Sequence, residues 1–96
     1  MSQVLHPGKH FAATLKEREI TAYECAAAIG VRPPRLYDLA KCKTAITPPL
    51  ALRLSRYLGG SAERWMQLQT RYDLALAEKK LHSTLPSIER HRRSRR

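Results

Sequence analysis

Apolar positions recur along the chain at the three-to-four-residue spacing of helices, and no segment sustains the alternation of a strand. Five helices are expected. The first runs from about Gly8 to Arg18, with Phe11 and Leu15 on one face. The second opens at Thr21. Glu24 follows three residues later, the spacing of a capping box, and Gly30 supplies the left-handed residue that ends the helix. Ala22, Ala26 and Ile29 mark its inner stripe. The third opens near Pro33, because proline suits a first turn, and carries Leu36 and Leu39. Thr47 caps the fourth, with Pro48 at its first position, Leu50, Leu54 and Leu58 as its stripe, and Gly59-Gly60 as its stop. Ser61 caps the fifth, which extends to about Leu81. Trp65, Leu68, Tyr72, Ala75 and Leu76 share one of its faces, while Leu74, Ala77 and Leu81 share another. A helix apolar on two faces has more surface to bury than one small domain covers, so a second chain is expected against it.

Ile29-Gly30-Val31 joins the second and third helices, and helix, short glycine turn, helix is the helix-turn-helix pattern. A small residue is needed where the two helices touch, and Ala26 stands four before the turn glycine. Cys25, Ile29, Val31, Leu36 and Leu39 supply the inner faces, and Gly30 the positive φ of the turn. The alternative is an ordinary α-hairpin in a small bundle. If the third helix enters a major groove, Arg32, Pro33, Pro34, Tyr37, Asp38 and Lys41 face outward, with Arg35 at the edge. Arg32 and Arg35 are then the candidates for reading guanine. Lys41 and Lys43, in the following loop, and Thr47, at a helix start with free backbone N–H groups, suit phosphate.

Charge favours the first of these readings. The 96 residues carry 18 basic and 8 acidic side chains, a net +10, which calls for a polyanionic partner such as nucleic acid or an anionic membrane. The charge is unevenly placed. Residues 32–56 hold Arg32, Arg35, Lys41, Lys43, Arg53 and Arg56 against Asp38 alone. That block begins at the candidate recognition helix, which favours duplex DNA over a membrane surface. The second block is a tail, 82–96, with five arginines and little that is apolar beyond Leu85 and Ile88. It cannot bury enough surface to hold a fold and is expected to be disordered, either merely solvated or an arm that adds phosphate affinity or touches a partner. The domain is therefore expected to span 1–81.

The remaining chemistry is sparse. There is no run of about 18 apolar residues to span a membrane, and no basic-then-apolar leader pattern. Cys25 and Cys42 are too few for a disulfide framework, so a reduced, cytoplasmic setting is expected. His6 and His10 stand four apart, a spacing that can serve metal ligands, but Pro7-Gly8 separates them and no Cys or carboxylate pair is near. No metal site and no cofactor are expected. Cys25 falls at a core position. Cys42 falls between two lysines, a setting that can activate a thiol, though a bystander is the simpler reading. No glycine-rich phosphate loop and no nucleophile–base arrangement is found, so an enzyme is not expected. Trp65, Leu68, Tyr72 and Leu76 are expected in the core or a dimer interface rather than a ligand pocket.

These residues together resemble the HigA-type antitoxins, phage-repressor-like helix-turn-helix proteins encoded beside a small ribonuclease toxin. The matching stretches are His6-Pro7-Gly8, Ala26, Ile29-Gly30-Val31, Ala45-Ile46-Thr47, Ala51-Leu52-Arg53-Leu54, Leu58-Gly59, Trp65-Met66-Gln67-Leu68-Gln69 and Tyr72-Asp73-Leu74-Ala75. They cover roughly residues 5–78. The Trp-x-x-Leu-Gln-x-x-Tyr-Asp-Leu run after a leading His-Pro-Gly is particular to this family among helix-turn-helix proteins. The resemblance implies an all-α, five-helix phage-repressor-like helix-turn-helix domain with a basic C-terminal tail. It further implies a homodimer that binds a palindromic operator in its own promoter as an autorepressor, and neutralises a RelE-like toxin that cleaves translated messenger RNA. The chain departs from the family at several positions. The glutamine that usually opens the second helix and grips phosphate is Ala22, and an often basic neighbour is Glu24. Pro33 and Pro34 replace polar residues of the third helix, and Lys41-Cys42 replaces the usual asparagine-glycine after it. The alternative these departures raise is an antitoxin that binds its toxin with weak or no specific DNA binding.

Overall fold

A computed structural model describes residues 4–91. Its elements are α1 (Pro7–Arg18), α2 (Ala22–Ile29), α3 (Pro33–Ala40), α4 (Pro48–Leu58), α5 (Ala62–Lys80) and a short 3-10 turn at Leu85–Ser87, with no strand among the described residues. The local signals act as the sequence suggests. Both halves of the α2 capping box form: Glu24 N donates to Thr21 Oγ1 at 3.0 Å, and Thr21 N to Glu24 Oε1 at 2.8 Å. Gly30 ends α2 with φ 77°. Helix α1 starts one residue earlier than expected, because His6 caps it: Gly8 N donates to His6 Nδ1 at 2.8 Å.

The core gathers Phe11 and Leu15 of α1, Cys25, Ala26 and Ile29 of α2, Leu36 and Leu39 of α3, and Leu50, Ala51, Leu54 and Leu58 of α4. Ile46 and Trp65 complete it. Helix α1 packs on α3 and α5, α2 on α3 and α4, and α4 on α5. The rings of Phe11 and Trp65 meet edge-on, with centroids 6.5 Å apart. Cys25 is a buried hydrophobe, and desolvation pushes its thiol up to about 11. Gly8 lies against the end of α3, where a Cβ would overlap the Leu39 carbonyl oxygen.

The two halves of the family pattern meet in space. Gln69 of α5 is buried; its Oε1 accepts Ile46 N at 2.7 Å while its Nε2 donates to Asp73 Oδ1 at 2.9 Å. The Tyr72 ring meets His6 edge-on at 4.7 Å. His6 has its pKa lowered by desolvation, with Asp73 opposing the shift.

The apolar face expected on α5 divides. Trp65 is buried, and Leu68, Tyr72 and Ala75 are half-buried. Leu76 is 46 % exposed, so it is not core of this chain, and Leu74 and Leu81 are exposed as well. The second half of the 19-residue helix has run past the core. Beyond Leu81 the chain turns, and Leu85 and Ile88 are exposed. Of the tail expected at 82–96, residues 92–96 lie outside the described residues.

Candidate nucleic-acid interface

Helix α3 is held by its inner face. Leu36 and Leu39 are fully buried, and the turn before them is closed by Gly30 N and Val31 N, which both donate to Ala26 O at 2.9 and 3.1 Å. The opposite face is open. Arg32, Pro34, Arg35, Tyr37, Asp38 and Lys41 are exposed and Pro33 is half-buried. Lys43 and Thr47, on the segment leading to α4, are exposed too. Arg35 and Thr47 are brought into contact: Arg35 Nη2 donates to Thr47 Oγ1 at 3.1 Å.

Helix α3 ends in a Schellman arrangement. Cys42 N donates to Leu39 O at 2.9 Å and Lys43 N to Asp38 O at 2.8 Å, with Cys42 in the left-handed region at φ 64°. Glycine or asparagine adopts that conformation more readily than cysteine.

One expectation is corrected by both helix starts. Free backbone N–H groups were expected beside Thr47, but α3 and α4 each begin with two prolines, which carry none. In α3 the next amide, Arg35 N, donates to Arg32 O at 3.0 Å. In α4, Ala51 N donates to Thr47 O at 2.8 Å, leaving Leu50 as the remaining N–H of the first turn. The first turns of α3 and α4 therefore offer few backbone donors, and the charge on this face lies on exposed Arg and Lys side chains. Thr47 does sit at the α4 N-cap, yet its hydroxyl makes no capping bond.

At the start of α2, Ala22 is half-buried and Glu24 is occupied by its cap. Three features near this face escape sequence reasoning. Tyr23, next to Ala22, is 60 % exposed. Its polar, unpatterned position on a short helix is the signal that could have found it. Arg53 of α4 donates through Nη1 to Ile29 O, bracing the turn between α2 and α3. Gln69 fixes the loop between α3 and α4. Nothing in a single sequence marks those last two contacts.

No group of three or more His, Cys, Asp or Glu is placed to hold a metal among the described residues. His6 is engaged as a cap instead. No described helix is long and apolar enough to cross a membrane.

No family model matches the chain. Virulence-associated protein I of Dichelobacter nodosus is 40 % identical over 75 residues, covering 77 % of this chain and 69 % of that protein. The solved structure of Pseudomonas aeruginosa antitoxin HigA with the higBA promoter superposes with TM-score 0.86 at 32 % identity, covering 91 % of this chain and 97 % of that one. The chain belongs to the HigA antitoxin family. A second P. aeruginosa protein, solved in complex with its 28-bp operator DNA, superposes on this HigA-family chain with TM-score 0.88 at 32 % identity, covering 93 % of this chain and all of that one. The shared architecture is the all-α helix-turn-helix fold, and these solved relatives are DNA-bound proteins, not enzymes. The HigA pattern His-Pro-Gly then serves α1 capping and its close approach to α3, while the Trp-to-Asp run serves the α5 packing described above.

Proposed function

We propose that this HigA-family chain is the antitoxin of a toxin–antitoxin module. In this reading it represses its own promoter by placing α3 in the major groove of operator DNA, and neutralises a RelE-like ribonuclease toxin in the cytoplasm. The observation that carries the DNA half is the open face of α3. It presents Arg32, Arg35, Tyr37 and Lys41, with Lys43 just beyond, from a helix anchored by Leu36 and Leu39. Solved relatives of the same fold hold promoter or operator DNA.

The residue roles follow from chemistry. Arg35 and Arg32 offer bidentate donors to guanine. Pro33 and the exposed ring of Pro34 give apolar contact of the kind that suits thymine methyl groups. Lys41 and Lys43 meet phosphates, and Tyr23 is placed to replace the grip that Ala22 lacks. A second copy covers the exposed Leu74, Leu76 and Leu81 of α5, which sets two α3 helices about 34 Å apart on one DNA face. The basic stretch 82–96, with its five arginines, follows the 1–81 domain and adds sequence-independent affinity.

The paired prolines at both helix starts favour one second reading: a toxin-binding antitoxin with weak specific DNA binding. A reporter driven by the DNA upstream of the gene, assayed with and without the chain, separates the two. Co-expression with the neighbouring gene in a growth assay tests the toxin half. Repression and rescued growth support the full proposal. Rescue without repression supports the second reading, and the absence of both repression and rescue refutes both.

A further inference from the structure

We propose that Thr47 is a positioning residue for Arg35, holding its guanidinium ready to read a guanine. The inference rests on the reading that α3 enters the major groove. Three of the described α-helices have a hydroxyl residue at the N-cap. Thr21 and Ser61 each accept from the amide three residues on, at 3.0 and 3.1 Å. Thr47 occupies the same backbone position, φ −100° and ψ 163°, but makes no such bond. Pro49 removes one of the two donors a cap serves, and the other, the amide of Leu50, is not bonded to Thr47. Its hydroxyl is instead 3.1 Å from Arg35 Nη2, on the helix before.

That contact changes what Arg35 can do. A free arginine loses much rotamer freedom when it binds a base, and a guanidinium already held loses less. Guanidinium carries five donors, so one bond to Thr47 leaves enough for a bidentate pair to guanine O6 and N7. The threonine hydroxyl, having accepted from Arg35, keeps its own proton to donate to a nearby phosphate. Base reading and backbone contact are thereby joined through one oxygen. Of the two candidate readers, Arg35 is the one whose guanidinium this contact holds.

The test uses the full chain and duplexes carrying the promoter sequence, each guanine of the binding site replaced in turn, with a random duplex as reference. Wild type, Arg35→Ala, Thr47→Val, Thr47→Ala, Thr47→Ser and Arg35→Ala/Thr47→Val are compared at several salt concentrations, with melting curves as a folding control. Thr47→Val and Thr47→Ala are expected to lose roughly tenfold in discrimination at the one base pair whose reading Arg35→Ala also abolishes. Their salt slope stays unchanged, Thr47→Ser restores discrimination, and Thr47→Val adds nothing to Arg35→Ala. If Arg35→Ala loses the preference and the Thr47 variants keep it, the positioning role is overturned while the DNA reading stands. If the Thr47 variants weaken every duplex alike and keep the discrimination, Thr47 is only a phosphate contact, and the inference is again overturned. A wild type that shows no preference for the promoter overturns the DNA reading and this inference together.

Discussion

The side-chain carbonyl of Gln69 accepts the backbone N–H of Ile46 at 2.7 Å, across 23 residues of chain. Both residues are buried, and the bond pins the α3–α4 loop, with Lys43 and Thr47 on either side of Ile46, to the long helix α5. A leucine at 69 would keep the volume and leave the Ile46 amide without a partner. Gln69→Leu is expected to cost about 1–3 kcal/mol of stability, the penalty for an unpaired buried donor. Denaturant unfolding measures it, and an unchanged midpoint would show that the bond contributes nothing.

Gly8 sits where no other residue fits. A Cβ there would overlap the Leu39 carbonyl oxygen and come within 3.2 Å of Cys42 Sγ. The neighbour is backbone at the end of α3, so α1 must shift. Gly8→Ala is expected to destabilise by about 1–3 kcal/mol, as overpacking does, although alanine favours helix. A gain in melting temperature would contradict this packing.

Cys42 shows the reverse case. It holds φ 64° at the close of α3 with a side chain that disfavours it. Cys42→Gly is expected to stabilise by about 0.5 kcal/mol, with relief of backbone strain exceeding the added entropy of the unfolded chain. Chemical denaturation of the reduced protein checks the sign. A fall in stability would show that the thiol's packing near Gly8 matters more.

His6 makes stability depend on pH. Its Nδ1 accepts from Gly8 N, so the neutral ring carries its proton on Nε2 and a second proton would have to occupy the capping atom. Desolvation lowers its pKa in the fold, with Asp73 opposing. The unfolded chain therefore takes up the proton first, at an ordinary value of about 6.5, and stability rises with pH through that window. The contribution is full above the unfolded pKa and is lost as pH falls through the lowered folded value. Thermal melts between about pH 7.5 and pH 5 should show this loss. His6→Asn, which keeps a capping oxygen without titrating, should lose less on acidification. Equal losses in the two proteins would remove His6 from the explanation.

The helix boundaries were legible because their causes are local. Thr21 with Glu24, Gly30, Pro33 and the Gly59-Gly60 stop each act within a few residues of themselves. The open face of α3 was legible from the positions of Leu36 and Leu39. The partner of Gln69 and the brace from Arg53 to Ile29 were not, because each joins residues more than twenty positions apart. Which of the two settings, core or interface, Leu76 takes was not legible for a different reason: helical periodicity gives a face but not the point where the core ends, and Leu76 lies beyond it. Thr47 was read as an ordinary cap because its spacing is that of one. Only the geometry shows its hydroxyl turned to Arg35.

Lys43→Ala should weaken promoter and random duplexes alike and lower the salt slope by about one per protomer, as a phosphate contact does. An effect confined to the promoter would instead make Lys43 a reader of sequence.

The most direct measurement is a competition titration of the full chain between the duplex upstream of its gene and a random duplex of equal length, repeated across salt concentrations. Specific reading by α3 predicts a preference of roughly a thousandfold or more for the upstream duplex. Equal affinity for the two duplexes, fading steeply with salt, would contradict it and leave only the attraction of a +10 chain for phosphate.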